Sequence, residues 1–359
     1  MEVEQLMVDQ KNEIRTYTQM LQDGLDEVVA SEPFRRFLRF LANNPNYSHR
    51  NVLLILQQMP EATRTKGFRG WQKEGRCVRE GQRGIRINAN FQRDDEEDPL
   101  LPNQREKSKK KRTFRRISVF DISQTIALGG PEGDEPAVPT PYFGSPDLFV
   151  EEALEGRVEN YGLALTLLRH ISPMSITFQQ GNRTEGSIGK SGIIIKDGMS
   201  QLHTIRTILN QMVRVWRGPF CEDKDQLEIE AESVAFIVCQ YLGLDTSEFS
   251  FPHIAKYSFG QERKCLEHFL EAIQQTALYL IDSIDGLWEA QKIGYEADEL
   301  FLLTNRRTAL RLFQEGESVY LVFPGEGELL TMRRKAIEDH KGPFAIDRAS
   351  WSASAAKAA

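Results

Sequence analysis

Residues 47–87 read YSHRNVLLILQQMPEATRTKGFRGWQKEGRCVREGQRGIRI. Ser48 is placed to cap a helix on which Val52, Leu53, Ile55 and Leu56 recur at helical spacing, and Pro60 stops it. Gly67, Gly70, Gly75, Gly81 and Gly84 then cut the chain into short segments, and Arg83-Gly84-Ile85-Arg86-Ile87 alternates like a strand. Upstream, Phe34, Phe37, Leu38 and Leu41 fall on one helical face, ended by the turn Asn43-Asn44-Pro45-Asn46. Downstream, Ile117-Ser118-Val119-Phe120 resumes as a strand. Residues 94–112 between the two strands are poor in order-promoting side chains and read as a mobile loop.

Charge is unevenly spread along these elements. The 359 residues carry a net charge of -7, yet residues 34–116 hold 21 Lys and Arg against 9 Asp and Glu, a net +12. A basic block on an otherwise acidic chain is either a polyanion-binding face or a solvated surface. Within it Phe68 and Trp71 stand among Arg64, Lys66, Arg69, Lys73, Arg76, Arg79, Arg83 and Arg86. Single-strand binders need cations that track phosphates and flat rings on which bases stack. Arg predominates over Lys, which favours bidentate phosphate contacts. The plainer alternatives remain open: Phe68 and Trp71 as core, Asn51 as a backbone anchor, Tyr47 as a turn cap, and Gly75, Gly81 and Gly84 as turn formers. The basic run 107–116 reads either as a phosphate-binding arm or as a solvated loop, and the acidic residues 94–98 could compete for the same face.

Five short motifs in this region occur in order: Tyr47-Ser48-x-x-Asn51, Gln58-x-Pro60-x-Ala62, Gly67-Phe68-x-x-Trp71, Gly75-Arg76-x-Val78 and Gly81-x-x-Gly84-Ile85, closed by Val119-Phe120-Asp121-x-Ser123-Gln124-Thr125. Together they resemble the N-terminal domain of ArdC-type antirestriction proteins over roughly residues 10–125. The resemblance implies a single-stranded DNA-binding domain of a mobile genetic element. The expected contacts are Tyr47, Arg50, Asn51, Arg64, Lys66, Phe68, Arg69, Trp71, Lys73, Arg76, Arg79, Arg83 and Arg86.

Residues 128–147 are rich in Gly and Pro and read as a linker. Beyond it a helix is expected around 148–170, strands around 176–178 and 193–195, helices carrying Ile205 to Trp216 and Leu227 to Leu242, and a long helix over about 261–292. Ile193-Ile194-Ile195-x-x-Gly198-Met199-Ser200 and Glu228-x-Glu230-Ala231-Glu232 resemble the zincin-like metallopeptidase domain that follows in the same family. That resemblance implies His-Glu-x-x-His on the intervening helix, two histidines for zinc and a glutamate to activate water. Here Asn210, Gln211 and Arg214 stand in those places. Asn is a poor zinc ligand, Gln is no general base, and Arg repels a dication. No metal, no cofactor and no catalytic residue is expected. Glu228 and Glu232, where the family supplies its third ligand, are either a solvated face or the partners of Arg214 in a structural link that replaces the metal. His203 and His253 read as structural.

From about residue 300 a small α/β segment follows, with a helix near 308–314, a strand at 319–323, a helix near 333–340 and residues 344–346. It resembles YodL-like domains of mobile-element proteins and implies no chemistry. Arg306, Arg307 and Arg311 are either a second anion site or a solvated helix face. The four cysteines are scattered without a CxxC pair and read as free thiols. The N-terminus lacks the pattern of a secretory signal, and no apolar run is long enough to span a bilayer.

The expectation is an α+β chain of several domains: 1–127 binding DNA, 128–147 a linker, 148–298 the degenerate zincin-like domain, and 299–351 the C-terminal segment. It would be a cytoplasmic, non-enzymatic protein of a mobile element that binds single-stranded DNA; a role in protecting DNA from restriction is what the family resemblance alone implies. The alternative is a scaffold in which the peptidase-like domain docks a protein, which an exposed apolar cleft on its helices would favour.

Overall fold

The computed structural model describes residues 32–91, 113–128, 151–152, 157–158, 161–256, 263–292, 301–323, 327–331, 334–340 and 342–347. The acidic residues 94–98, the basic run up to Arg112, the linker beyond Leu128 and the C-terminal tail lie outside them. The fold is α+β. Its described residues fall into two compact units: residues 50–128 form one, and residues 32–49 with residues 151–347 form the other.

Helix α1 (Glu32–Asn43) has the expected apolar face, with Phe34, Phe37, Leu38, Phe40 and Leu41 all buried. Its aromatic side chains join the second unit, where Phe34 stacks on Phe269 and Arg35 and Arg39 lie over the Phe251 ring at 4.9 and 5.3 Å. The sequence grouped this helix with the basic module because it precedes it directly. Packing follows the aromatic face instead.

The first unit starts within helix α2 (His49–Gln58) and continues through β1 (Thr65–Lys66), the short helix α3 (Phe68–Lys73), β2 (Arg76–Val78), β3 (Ile85–Phe91), β4 (Thr113–Asp121) and β5 (Thr125–Ala127). An antiparallel sheet has the order β1-β4-β3, and β2 pairs separately with β5. Period-two alternation puts Ile85, Ile87 and Val119 on the buried face and Arg86 and Ser118, paired across the strands, on the other. Gly84 is needed for space rather than for its backbone angles: a Cβ there would come within 2.8 Å of the Ser118 Cβ. Gly75 and Gly81 do have positive φ and form turns.

Two amides hold α2 to β3. Asn51 donates to the Asn88 carbonyl at 2.9 Å and accepts from its N–H at 3.1 Å. Gln58 makes the same pair of bonds to Arg86, both 2.9 Å. The end of β4 is held by Asp121. Its buried carboxylate accepts from the backbone N–H groups of Thr63 (2.8 Å), Arg64 (2.9 Å) and Ser123 (3.0 Å), and Gln124 completes a capping box by accepting from the Asp121 N–H.

In the second unit a short strand pair, β6 (Glu151–Glu152) and β7 (Arg157–Val158), stands where the sequence suggested the start of a helix. Gly156 interrupts that helical pattern, and the Gln201 side chain accepts from the Val158 N–H at 2.7 Å. The helix itself is α4 (Tyr161–Ile171). Strands β8 (Ile176–Gln179), β9 (Gly186–Gly189) and β10 (Gly192–Lys196) form a mixed sheet with β10 central, parallel to β8 and antiparallel to β9.

Helices α5 (Gln201–Arg217) and α6 (Lys224–Tyr241) make a tightly packed hairpin, capped by Ser200 and Asp223. Helix α7 (Ser247–Ile254) and the long α8 (Arg263–Lys292) complete the helical layer. The C-terminal part alternates β11 (Phe301–Thr304), α9 (Arg306–Glu315), β12 (Val319–Phe323), β13 (Gly327–Thr331), α10 (Arg334–Asp339) and β14 (Phe344–Asp347), with sheet order β11-β14-β12-β13. It is tied to α8. Buried Asp282 accepts from Asn305 at 2.7 Å and from the Thr308 hydroxyl, and Gly286 lets the Thr304 backbone approach closer than any side chain would permit.

Asp121→Ala leaves three backbone donors without their acceptor. It is expected to destabilise the protein by about 3 kcal/mol, given roughly 1–3 kcal/mol for each such loss and partial rescue by water. Denaturant unfolding of this variant beside Asp121→Asn, which keeps one of the two acceptor oxygens, measures it; equal stabilities of Ala and Asn would contradict the role given to the carboxylate.

Candidate functional site

The residues expected to meet nucleic acid divide sharply. Trp71 is wholly buried and its indole N–H donates to the Phe120 carbonyl at 2.9 Å, so it forms core and offers no face to a base. That corrects its place among the expected contacts. Asn51 is likewise committed to the β3 backbone. Arg64 and Lys66 both bind Glu74, the Arg at 2.6 Å, and lie beside the Trp71 ring. Arg76 donates to the Thr125 hydroxyl at 2.8 Å and its carbonyl at 3.3 Å. Tyr47 packs on Phe40 with ring centroids 6.2 Å apart, within the second unit.

Phe68 differs from Trp71 in being 49 % exposed. It opens α3, on which Arg69 and Lys73 are also exposed, four residues apart and therefore on one side of the helix. Arg50, Arg83 and Arg86 are exposed elsewhere on the same unit, and Arg79 is half-buried. A flat apolar ring beside two outward cations on a short helix, with further arginines on strand and turn, is the chemistry that stacks a base and tracks a phosphate chain.

The second unit gathers its own polar centre between α5 and α6. Arg206 donates to both oxygens of Glu232, from Nε at 2.7 Å and from a terminal nitrogen at 2.8 Å. Glu232 is 0 % and Arg206 3 % exposed. Asn210, one turn further along α5, donates to the same carboxylate at 2.9 Å, and Gln211 donates to Asn210 at 3.3 Å. One turn beyond, Arg214 pairs with Glu228 at 3.0 Å. Behind Arg206, Glu185 accepts from it at 3.0 Å and meets His203 Nε2 at 3.0 Å. The hydrogen bond from His203, aided by Arg206, brings the Glu185 carboxyl down to about 2. Burial alone would lower the Arg206 guanidinium, but Glu232 and then Glu185 outweigh it and hold it above its ordinary value.

These residues do not fit a zinc ion. Both oxygens of Glu232 are taken by a guanidinium, the Asn210 amide nitrogen points at the same carboxylate, and Arg214 brings a second fixed charge. Among the described residues no group of three or more His, Cys, Asp or Glu is placed to hold a metal. The pairing of Arg214 with Glu228 follows the structural-link reading of the sequence. The larger link, Arg206 to Glu232, was missed. Its signal was there: Arg206, Asn210 and Arg214 recur every four residues opposite Glu228 and Glu232, also four apart. Glu185 sits just before β9 and had no such local signature.

Over this centre lies a cleft of about 320 Å³, reached by Asn210, Thr207, Gln211 and Arg214 and rimmed by Arg183 and Lys256. Its lining residues are mostly polar or charged, so it is not the exposed apolar cleft that would favour docking of a protein partner.

Residues 12–120 match the family model of the N-terminal domain of anti-restriction factor ArdC. Over these residues the chain is similar to the ArdC N-terminal domain. An uncharacterized Bacillus anthracis protein designated pXO2-81 is 25% identical over 290 residues, 71% of this chain and 48% of that protein. The chain thus spans about half the length of this curated relative. Two crystal structures of the antirestriction ArdC protein from the R388 plasmid are similar. The metal-free one has a TM-score of 0.38 at 12% identity and covers 70% of this chain and 87% of its own. The Mn(II)-bound one has a TM-score of 0.41 at 14% identity, with coverages of 77% and 96%. The ArdC N-terminal domain match takes in α3 and the Phe68, Arg69 and Lys73 set described above.

Arg206→Ala leaves Glu232 charged and buried without its partner, and is expected to cost about 3–5 kcal/mol of stability. Arg206→Met with Glu232→Leu removes both charges and should recover most of that loss, whereas Arg214→Ala, at a partly exposed pair, should cost about 1 kcal/mol or less. Equal losses for Arg206→Ala and Arg214→Ala in urea unfolding would refute this ranking. Glu185 has a second consequence. Its folded pKa is below the ordinary 4.5, so the stability it contributes is complete above about pH 4.5 and fades as pH falls towards about 2. Glu185→Gln should flatten the acid limb of the stability curve in that window and leave its neutral-to-alkaline shape unchanged.

Proposed function

We propose that the chain is an antirestriction-type protein of a mobile genetic element that binds single-stranded DNA through its first unit and has no peptidase activity. The observation that carries the reading is the exposed Phe68 ring with Arg69 and Lys73 on the same short helix, inside a domain of the ArdC N-terminal family. Phe68 stacks on a base. Arg69, Lys73, Arg83 and Arg86 follow the phosphates, with Arg50 and Arg79 as further contacts. Arg64, Lys66 and Arg76 shape the surface through Glu74 and Thr125 and contribute long-range charge rather than direct contacts. Protection from restriction is drawn from the family name.

The absence of peptidase activity rests on side-chain chemistry. Gln211 cannot take a proton from water, and the carboxylate that would serve a metal is neutralised by Arg206. No helix among the described residues is long and apolar enough to cross a membrane, and a cytoplasmic site of action is part of the same proposal.

Binding of the full chain to single-stranded DNA, duplex DNA and RNA across a salt series is the test. With four to six phosphates contacted, the log–log salt slope on single strands should be about -3 to -4, at ~0.7 per contact. Phe68→Ala should weaken binding by about 1–3 kcal/mol with little change in slope. Arg69→Ala with Lys73→Ala should instead reduce the slope by about 1.4. Duplex binding as tight as single-strand binding would overturn the proposal.

A further inference from the structure

The cleft over α5 holds more positive charge than its own carboxylates consume. Arg206 is used by Glu232 and Glu185, and Arg214 by Glu228. Arg183 and Lys256 remain at the rim, both exposed, and neither makes an ion pair among the described residues. Below them lie polar atoms without partners. Thr207 and Gln211 are each more than nine-tenths buried, yet the Thr207 hydroxyl and the Gln211 carbonyl oxygen have no hydrogen-bond partner, and neither has the Arg214 Nε–H. Buried polar groups are nearly always satisfied, so three such atoms around one opening mark a place where something else supplies the bonds.

The unpaired groups specify what that is. The hydroxyl and the guanidinium N–H are donors, and two free cations stand above them, a set suited to an oxyanion with several acceptor oxygens. The Gln211 oxygen is an acceptor and asks for a ligand hydroxyl. A volume of about 320 Å³ admits a small organic molecule. We propose that this cleft binds a phosphate monoester of the size of a nucleoside monophosphate, its phosphate held by Arg183, Lys256 and Arg214 and a sugar hydroxyl meeting Gln211. Glu228 does not oppose this, because Arg214 pairs with it and His253 lies 3.8 Å from its other oxygen. The inference is independent of strand binding by the first unit.

The test is titration calorimetry of the full chain at low ionic strength with thymidine 5′-monophosphate, thymidine and inorganic phosphate. The monophosphate should bind, inorganic phosphate more weakly, and thymidine not measurably. Arg183→Ala with Lys256→Ala, both surface changes, should weaken the monophosphate about tenfold or more, while Phe68→Ala with Arg69→Ala should leave it unchanged. A 5′-phosphorylated strand compared with its 5′-hydroxyl twin distinguishes a strand end from a free nucleotide as the source, and either result keeps the site. No monophosphate binding at millimolar concentration, equal binding of thymidine, or loss of binding only in the Phe68/Arg69 variant would overturn the proposal.

Discussion

A guanidinium and a carboxylate, both out of reach of water, set the terms for the second unit. Arg206 and Glu232 are tolerable inside only because each hydrogen-bonding edge faces the other, with Asn210 and Glu185 completing the shell. That requirement fixes the rotation and separation of α5 and α6 more tightly than their aliphatic contacts do, since apolar side chains tolerate small slips and a two-pronged ion pair does not. At the centre of the hairpin a fixed organic cation neutralises the Glu232 carboxylate, and a guanidinium, unlike a bound metal ion, is not removed by a chelator.

The first unit depends on polar side chains of a different kind. Several residues that define its motifs build the scaffold: Asn51 and Gln58 hold β3, Asp121 gathers three loop amides, Trp71 fills the core, and Gly84 makes room for Ser118. The outward surface is left to Phe68 and to basic residues without fixed spacing. A family pattern of this sort identifies the frame better than it identifies the contacts.

The repeating elements were readable because periodicity is local. The apolar face of α1, the helix closed by Pro60, the alternation at Ile85 and Ile87, and α9, β12, α10 and β14 in the C-terminal part all follow from residues within one or two turns of each other, whereas β11 and β13 do not stand out in the sequence. Other features needed distance information. Strand β9, with its glycines, has no apolar alternation and exists through pairing with β10. Helix α7 contains Pro252 and does not read as a helix. Which of Phe68 and Trp71 faces solvent is not a local property: Trp71 is buried with its indole N–H on the carbonyl of Phe120, far along the chain. Arg206 stands outside the three motif positions, and its partners Glu232 and Glu185 lie on α6 and just before β9, far from it in sequence.

The two amide clamps on β3 have a consequence for the protein among its neighbours. A terminal strand ordinarily shows a row of free N–H and C=O groups that any extended chain can match. At Arg86 and Asn88 both groups are already occupied, by side chains that copy the peptide's own donor and acceptor. The sheet therefore ends there without a further strand, and a crowded solution of identical molecules finds that border closed to strand-by-strand aggregation.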